Sequence, residues 1–190
     1  MLSNLKPRIH KLLQPIARAS VGLGIKPNHV SMVGFFFAIV SSLFILRGVF
    51  SWGAFFLLLN GFFDLLDGLI AKTAPKHDSL FGGFLDSVLD RYSEFVVFVS
   101  LGVAGVNWPL VFAAMAGAFM VSYTRSRAEK FMKKCDVGVG GRPERLILLV
   151  LGLWSGYLVH AVIMIAILSH GTAFHRIAFT HGYCRKKGTR

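Results

Sequence analysis

The chain has 190 residues, of which 54% are hydrophobic, including 18 phenylalanines, and only 16% are charged, against about 25% charged residues in an ordinary soluble domain. Its net charge of +12 would point to nucleic acid in a soluble protein. Apolar stretches approaching the ~20 residues that cross a bilayer recur along the whole length, however, and exclude that reading in favour of an all-α integral membrane protein built as one bundle.

Taken in chain order, residues 1–26 are expected to form an interfacial amphipathic helix. Leu5, Ile9, Leu12, Leu13 and Ile16 recur at helical spacing with Lys6, Arg8, Lys11 and Arg18 between them. The segment has no apolar h-region or small-residue cleavage site, so a cleaved signal is not expected. Pro27-Asn28 then turns the chain, and Ser31 is placed to cap the first span.

Six transmembrane helices follow, at roughly 31–46, 52–72, 82–105, 108–130, 143–155 and 157–181. The Arg47-Gly48 region, Asn107-Trp108-Pro109 and Ser155-Gly156 mark turns on one side. The fifth span is short and is expected to begin in the interface at Pro143. Residues 27–184 thus read as a six-helix catalytic domain, and 185–190 as a basic tail.

On this layout Arg47 is alone among the 21 Lys/Arg residues on the far side. The excess of positive charge marks the cytoplasmic face and puts both termini there, in a multi-pass protein of the cell membrane. A basic rim of this kind attracts anionic lipid and phosphorylated ligands. Cys135 and Cys184 fall in cytoplasmic segments, where a disulfide is not expected.

The chemistry is concentrated in a short stretch. Six of the nine acidic residues lie between Asp64 and Glu94, in or beside two apolar helices. Asp64 and Asp67 are spaced i, i+3, and Asp86 and Asp90 i, i+4, so each pair lies on one helix face. The short connection between the two spans predicts antiparallel neighbours. At ~1.5 Å per residue, both pairs lie about 10 Å inside the cytoplasmic helix ends.

A carboxylate at mid-bilayer costs roughly 2.5–3.5 kcal/mol, and four that repel one another need cations to stay ionised. Hard divalent ions with oxygen ligands, Mg²⁺ or Mn²⁺, meet that need. Two of them about 3.5–4 Å apart form the usual clamp for phosphoryl chemistry. Gly68, directly after Asp67, lets a flat base or a phosphate approach the backbone. Gly82 and Gly83 fit either that role or helix packing, and Gly152-x3-Gly156 either helix packing or a dimer contact.

The pattern Asp64-x2-Asp67-Gly68-x2-Ala71-Lys72, nine residues, then Gly82-x3-Asp86-x3-Asp90 resembles the signature of the CDP-alcohol phosphotransferase family. Two departures stand out: Lys72 replaces the usual Arg, and the spacer has nine residues where eight is common. Lysine keeps a charge for the donor pyrophosphate and loses the bidentate fork. Pro27-Asn28-His29-Val30-Ser31 resembles the family element that contacts the CDP-lipid, and Ser79 matches a small hydroxyl residue on the donor. The resemblance covers roughly residues 20–180 and implies six helices and a homodimer.

It also implies a division of labour. The donor would be held by Asn28, His29, Val30, Ser31, Gly68, Lys72 and Ser79, and two metals by Asp64, Asp67, Asp86 and Asp90. Asp90 would also take the acceptor's proton, a role that comes from the family and not from spacing.

Tyr123-Thr124-Arg125-Ser126-Arg127, Arg142-Pro143-Glu144-Arg145 and His175-Arg176 bring arginine to the cytoplasmic side from three separate stretches, and arginine suits bidentate phosphate binding. These stretches resemble the phosphatidylinositol-phosphate synthase branch and its archaeal ether-lipid counterpart. Arg125, Arg145 and Arg176 fall on the positions that hold inositol phosphate there. Gly141 stands where the branch often has Glu. Arg127 and Arg142 are read instead as positive-inside charges or as structural partners of Glu129 or Glu144.

The expected reaction is transfer of a phosphatidyl-type group from CDP-diacylglycerol or CDP-archaeol to inositol phosphate, with release of CMP. Glycerol 3-phosphate or another small alcohol is the alternative acceptor. A membrane prenyltransferase, which would release pyrophosphate, and a cation transporter remain open as other classes.

Overall fold

The computed structural model describes residues 6–73 and 80–188. Among them are seven helices and no strand: α1 (Lys6–Gly22), α2 (Pro27–Leu46), α3 (Phe50–Thr73), α4 (Leu80–Val103), α5 (Trp108–Ala128), α6 (Arg142–Ser155) and α7 (Leu158–Gly188). Three of these, α2, α3 and α7, are long and apolar enough to cross a membrane. Composition and helix length agree that this is a membrane protein, and its outer apolar side chains (Phe36, Phe55, Phe84, Phe112 and Ile167 among them) are exposed, as a lipid solvent allows.

The amphipathic pattern near the N-terminus becomes α1. Its inner face buries Leu13 and Ala17 against Val30 and against Leu66, Leu69 and Ile70 of α3, while Leu12 and Ile16 stay exposed. The following helix starts earlier than expected. Pro27 occupies its first turn, where a missing N–H costs nothing, and Lys26 precedes it without a side-chain cap. Ser31 is therefore not a cap. It sits one turn inside α2, with its hydroxyl directed to Pro27 O and to Asp67.

The main apolar core lies away from the aspartates, near the opposite helix ends. There Ile45, Leu57, Phe98, Leu101, Val111 and Ile165 interdigitate. Polar side chains tie neighbouring helices to backbone carbonyls: Ser41 Oγ donates to Gly53 O at 2.7 Å and Asn60 Nδ2 to Gly34 O at 3.0 Å, both joining α2 to α3. Such bonds satisfy groups that hydrocarbon would leave unpaired.

Gly152 and Gly156 resolve into a turn. A Cβ on Gly152 would come within 2.5 Å of Ala161 Cβ on α7, and Gly156 ends α6 at φ 79°, a conformation that favours glycine. The pair therefore serves the α6–α7 reversal within one chain.

One expectation is corrected here. Helices α3 and α4 do not pack closely along their lengths; α2 lies against both, α6 lies against α3, and α7 packs on α5 and α6. Asp64 and Asp67 of α3 come close to Asp86 of α4, but a polar cavity lies between the facing sides of the two helices.

Candidate active site

Six turns of helix separate the two ends of α3, and its acidic pair lies close to the C-terminal one. Helical spacing turns Asp64 and Asp67 toward the same side, and Asp86 and Asp90 do the same from the first turns of α4. All four carboxylates line one cavity of about 200 Å³, together with Ser31 and Arg142.

Ligand atoms of Asp64, Asp67 and Asp86 lie within 4.8 Å of one another. Three carboxylates at that spacing, with no soft donor among them, fit a hard divalent cation. Asp67 is 5% exposed and accepts a hydrogen bond from Ser31 Oγ at 2.8 Å, which fixes one of its oxygens. Asp90 lines the same cavity but stands outside this trio. Its Oδ1 lies 2.5 Å from Arg142 Nη1 and its Oδ2 3.4 Å from Arg91 Nη1.

Gly68 is exposed, and a Cβ added there would meet nothing within 4 Å. Protein packing thus does not demand glycine at this position. Among the other donor-side candidates, Lys72 is exposed in the last turn of α3 and His29 is exposed on α2. Asn28 is half-buried, and Val30 packs into the cluster under α1. Ser79 lies outside the described residues.

The three arginines expected to hold the acceptor lie near one another, around the start of α6 and the 129–141 segment before it. Arg145, 2% exposed, donates from Nε to Glu94 Oε1 at 2.9 Å and from Nη1 to Gly140 O at 2.7 Å. Arg176 is also buried; its Nε donates to Val137 O at 3.0 Å and its Nη1 to Val121 O at 2.5 Å. Arg125 is more open, paired with Glu129 at 2.9 Å and Asp136 at 3.2 Å. Arg176 lies close enough to Arg125 and Arg145 to feel both charges.

The 129–141 strap between α5 and α6 is drawn over this cluster. Gly140 N donates to Thr172 Oγ1 at 2.8 Å, and a Cβ at Gly140 would come within 2.6 Å of Leu168 O on α7, so only glycine lets the strap seat this deeply.

The sequence reads Arg142 as a positive-inside charge or a structural partner of Glu129 or Glu144, and the structure corrects this. Its guanidinium reaches into the carboxylate cavity and pairs with both Asp64 and Asp90. Glu144 instead folds back over Gly141, where an added Cβ would come within 2.7 Å of its Oε2. Asn60, Ser93 and Glu94 were also missed. A second cavity of about 290 Å³, largely apolar, opens beside the first and shares Asn60, Ser93 and Arg142 with it.

Residues 25–175 match the family model described as CDP-alcohol phosphatidyltransferase. The chain is 33% identical to the archaetidylinositol phosphate synthase of Methanothermobacter thermautotrophicus, over 94% of this chain and 93% of that protein. It is 34% identical to the one from Pyrococcus horikoshii, over 93% of this chain and 95% of that protein. Its structure resembles that of Mycobacterium tuberculosis phosphatidylinositol phosphate synthase with CDP-DAG bound, with a TM-score of 0.75 at 28% identity, covering 90% of this chain and 94% of that one. The same enzyme in complex with manganese and citrate gives a TM-score of 0.74 at 29% identity, covering 87% of each chain. An oxygen-rich acidic cavity at the paired ends of two apolar helices, a sequence match over most of the chain and a shared fold lead to one conclusion: the chain belongs to the CDP-alcohol phosphatidyltransferase family.

Proposed function

We propose that this enzyme transfers the phosphatidyl-type group of a CDP-lipid, either CDP-diacylglycerol or CDP-archaeol, to inositol phosphate and releases CMP. The observation that carries the reading is the juxtaposition of two sites of opposite charge. A cavity lined by Asp64, Asp67, Asp86 and Asp90 lies beside a buried cluster of Arg145 and Arg176 with Arg125 at its edge. The first suits a metal-bound pyrophosphate and the second a phosphorylated alcohol. The names of the relatives favour the same acceptor.

Two divalent ions held by the four aspartates would neutralise the pyrophosphate and the departing CMP. The open backbone at Gly68 admits the nucleotide; Lys72, the Asn28–Ser31 turn and Ser79 complete the donor's surroundings. Arg125, Arg145 and Arg176 orient the acceptor phosphate, so that its hydroxyl meets the lipid-side phosphorus. Asp90, outside the trio of closest carboxylates, receives the hydroxyl proton as the new P–O bond forms and the bond to CMP breaks.

The same reading places six helices, α2–α7, across the bilayer, with α1 in the interface and both termini and the site on the cytoplasmic side. The catalytic domain would then span 27–184, with 185–190 as a basic tail and a second copy completing a homodimer. The exposed Trp52, Trp108, Trp154 and Tyr157 support it. They gather at the helix ends opposite the aspartates, as interfacial aromatic belts do.

The test is a CMP-release assay on purified protein, with CDP-diacylglycerol or CDP-archaeol and a panel of acceptors. Release that requires inositol phosphate supports the reading. Release that follows glycerol 3-phosphate or free inositol instead would reassign the acceptor, and pyrophosphate release would reassign the reaction.

A further inference from the structure

Arg142 opens α6, with Pro143 in the first turn and Gly141 before it offering no side-chain cap. A cation is badly placed at that end of a helix, because the unpaired N–H groups there already carry partial positive charge. The arrangement is stable only where strong negative charge faces it. Asp64 of α3 and Asp90 of α4 supply that charge, although Asp64 is 78 residues away in sequence.

The pairing has two consequences. Since α3 and α4 do not pack closely, the guanidinium is a link between their acidic faces. Asp64 also has two claims on it: it belongs to the trio of carboxylates whose ligand atoms converge, and it is a partner of Arg142. A divalent ion coordinated by Asp64 must share or take over a carboxylate that Arg142 holds. The Arg142 side chain is only 16% exposed, so solvent screens its charge from such an ion poorly.

We propose that Arg142 is a displaceable counter-cation built into the aspartate cage, which holds Asp64 and Asp90 together and competes with the divalent ion for them. Arg142 is thus a positioning residue that sets how tightly the cage takes up metal. This rests on the reading of the cage as a divalent-cation site.

The experiment compares the purified full chain with Arg142→Gln, Arg142→Met and Arg142→Lys. Mn²⁺ binding is followed by the electron paramagnetic resonance signal of free Mn²⁺, and the melting temperature is measured with and without Mn²⁺. The two neutral variants should bind Mn²⁺ about tenfold more tightly than the unaltered protein, since a neighbouring positive charge is gone. Mn²⁺ should also raise their melting temperature by a larger increment, because the repelling carboxylates have lost their internal partner. Arg142→Lys keeps the charge and should stay within about twofold of the unaltered affinity.

Methionine retains the apolar stem beside Leu146 and Leu149 and serves if the glutamine variant does not fold. Equal or weaker Mn²⁺ binding in a folded neutral variant would overturn the proposal. If the unaltered protein itself binds no Mn²⁺, the cage reading fails and the proposal falls with it.

Discussion

The two charged regions beside α6 are built in contrasting ways. In the aspartate cavity Ser31, two arginines and the Gly68 backbone are the partners of the carboxylates among the described residues, and Gly68 leaves open space at the rim. In the arginine cluster each of the three guanidiniums has protein partners: Glu94 and Gly140 O on Arg145, Val137 O and Val121 O on Arg176, Glu129 and Asp136 on Arg125. The cavity keeps its acceptor oxygens for an outside cation. The cluster uses its donors to hold the 129–141 strap in place, and a phosphate there must add to these bonds or exchange with them. A buried group left unpaired is expensive, so each region reflects what it is expected to meet.

The largest expected effect separates the two regions. Asp90→Asn should lower CMP release about a thousandfold, within the range for loss of a general base. Donor binding to the Asp64–Asp67–Asp86 trio should survive. Near-normal turnover in this variant would remove Asp90 as the base.

Next in size, Arg176→Ala should reduce kcat/KM for the acceptor about a hundredfold while changing the donor KM little. Hydrogen bonds to a charged group are worth about 1.5–3 kcal/mol. The same change strips Val137 O and Val121 O of their donor, so a lower melting temperature is expected as well. A lower melting temperature with an unmoved acceptor KM would make the cluster a fastener for the strap and nothing more.

Ser31→Ala is the smallest of the three. Loss of its bond to Asp67 should cost about tenfold in donor kcat/KM, with the acceptor KM unchanged. An effect on the acceptor instead would mean that the two regions are not separable.

Much of this arrangement was legible in the sequence, for reasons that differ by residue. The seven helices follow from apolar runs and amphipathic spacing, and the four aspartates from the cost of placing acid in apolar helices. Asn60 lies four residues before Asp64, and Ser93 and Glu94 lie three and four after Asp90. Helical periodicity alone would have put them on the active faces. Arg142 carried no such signal: its partners come from two other helices, and its nearest acidic neighbour in sequence, Glu144, turns to Gly141 instead. The gap between α3 and α4 was hidden for a related reason. A short connection limits how far apart two helix ends lie, while the separation of the helix bodies depends on α2 wedged against both and on the polar side chains between them.

Pooling of the α3 and α4 aspartates into one cage for divalent ions underlies all of these effects. A crystal structure of the protein with Mn²⁺ and CDP-lipid, using anomalous scattering from manganese, puts it to the proof. The expected result is manganese within bonding distance of Asp64, Asp67 and Asp86, with the donor pyrophosphate against it and Arg142 withdrawn from Asp64. Manganese bound elsewhere, or a donor seated away from these carboxylates, would contradict it.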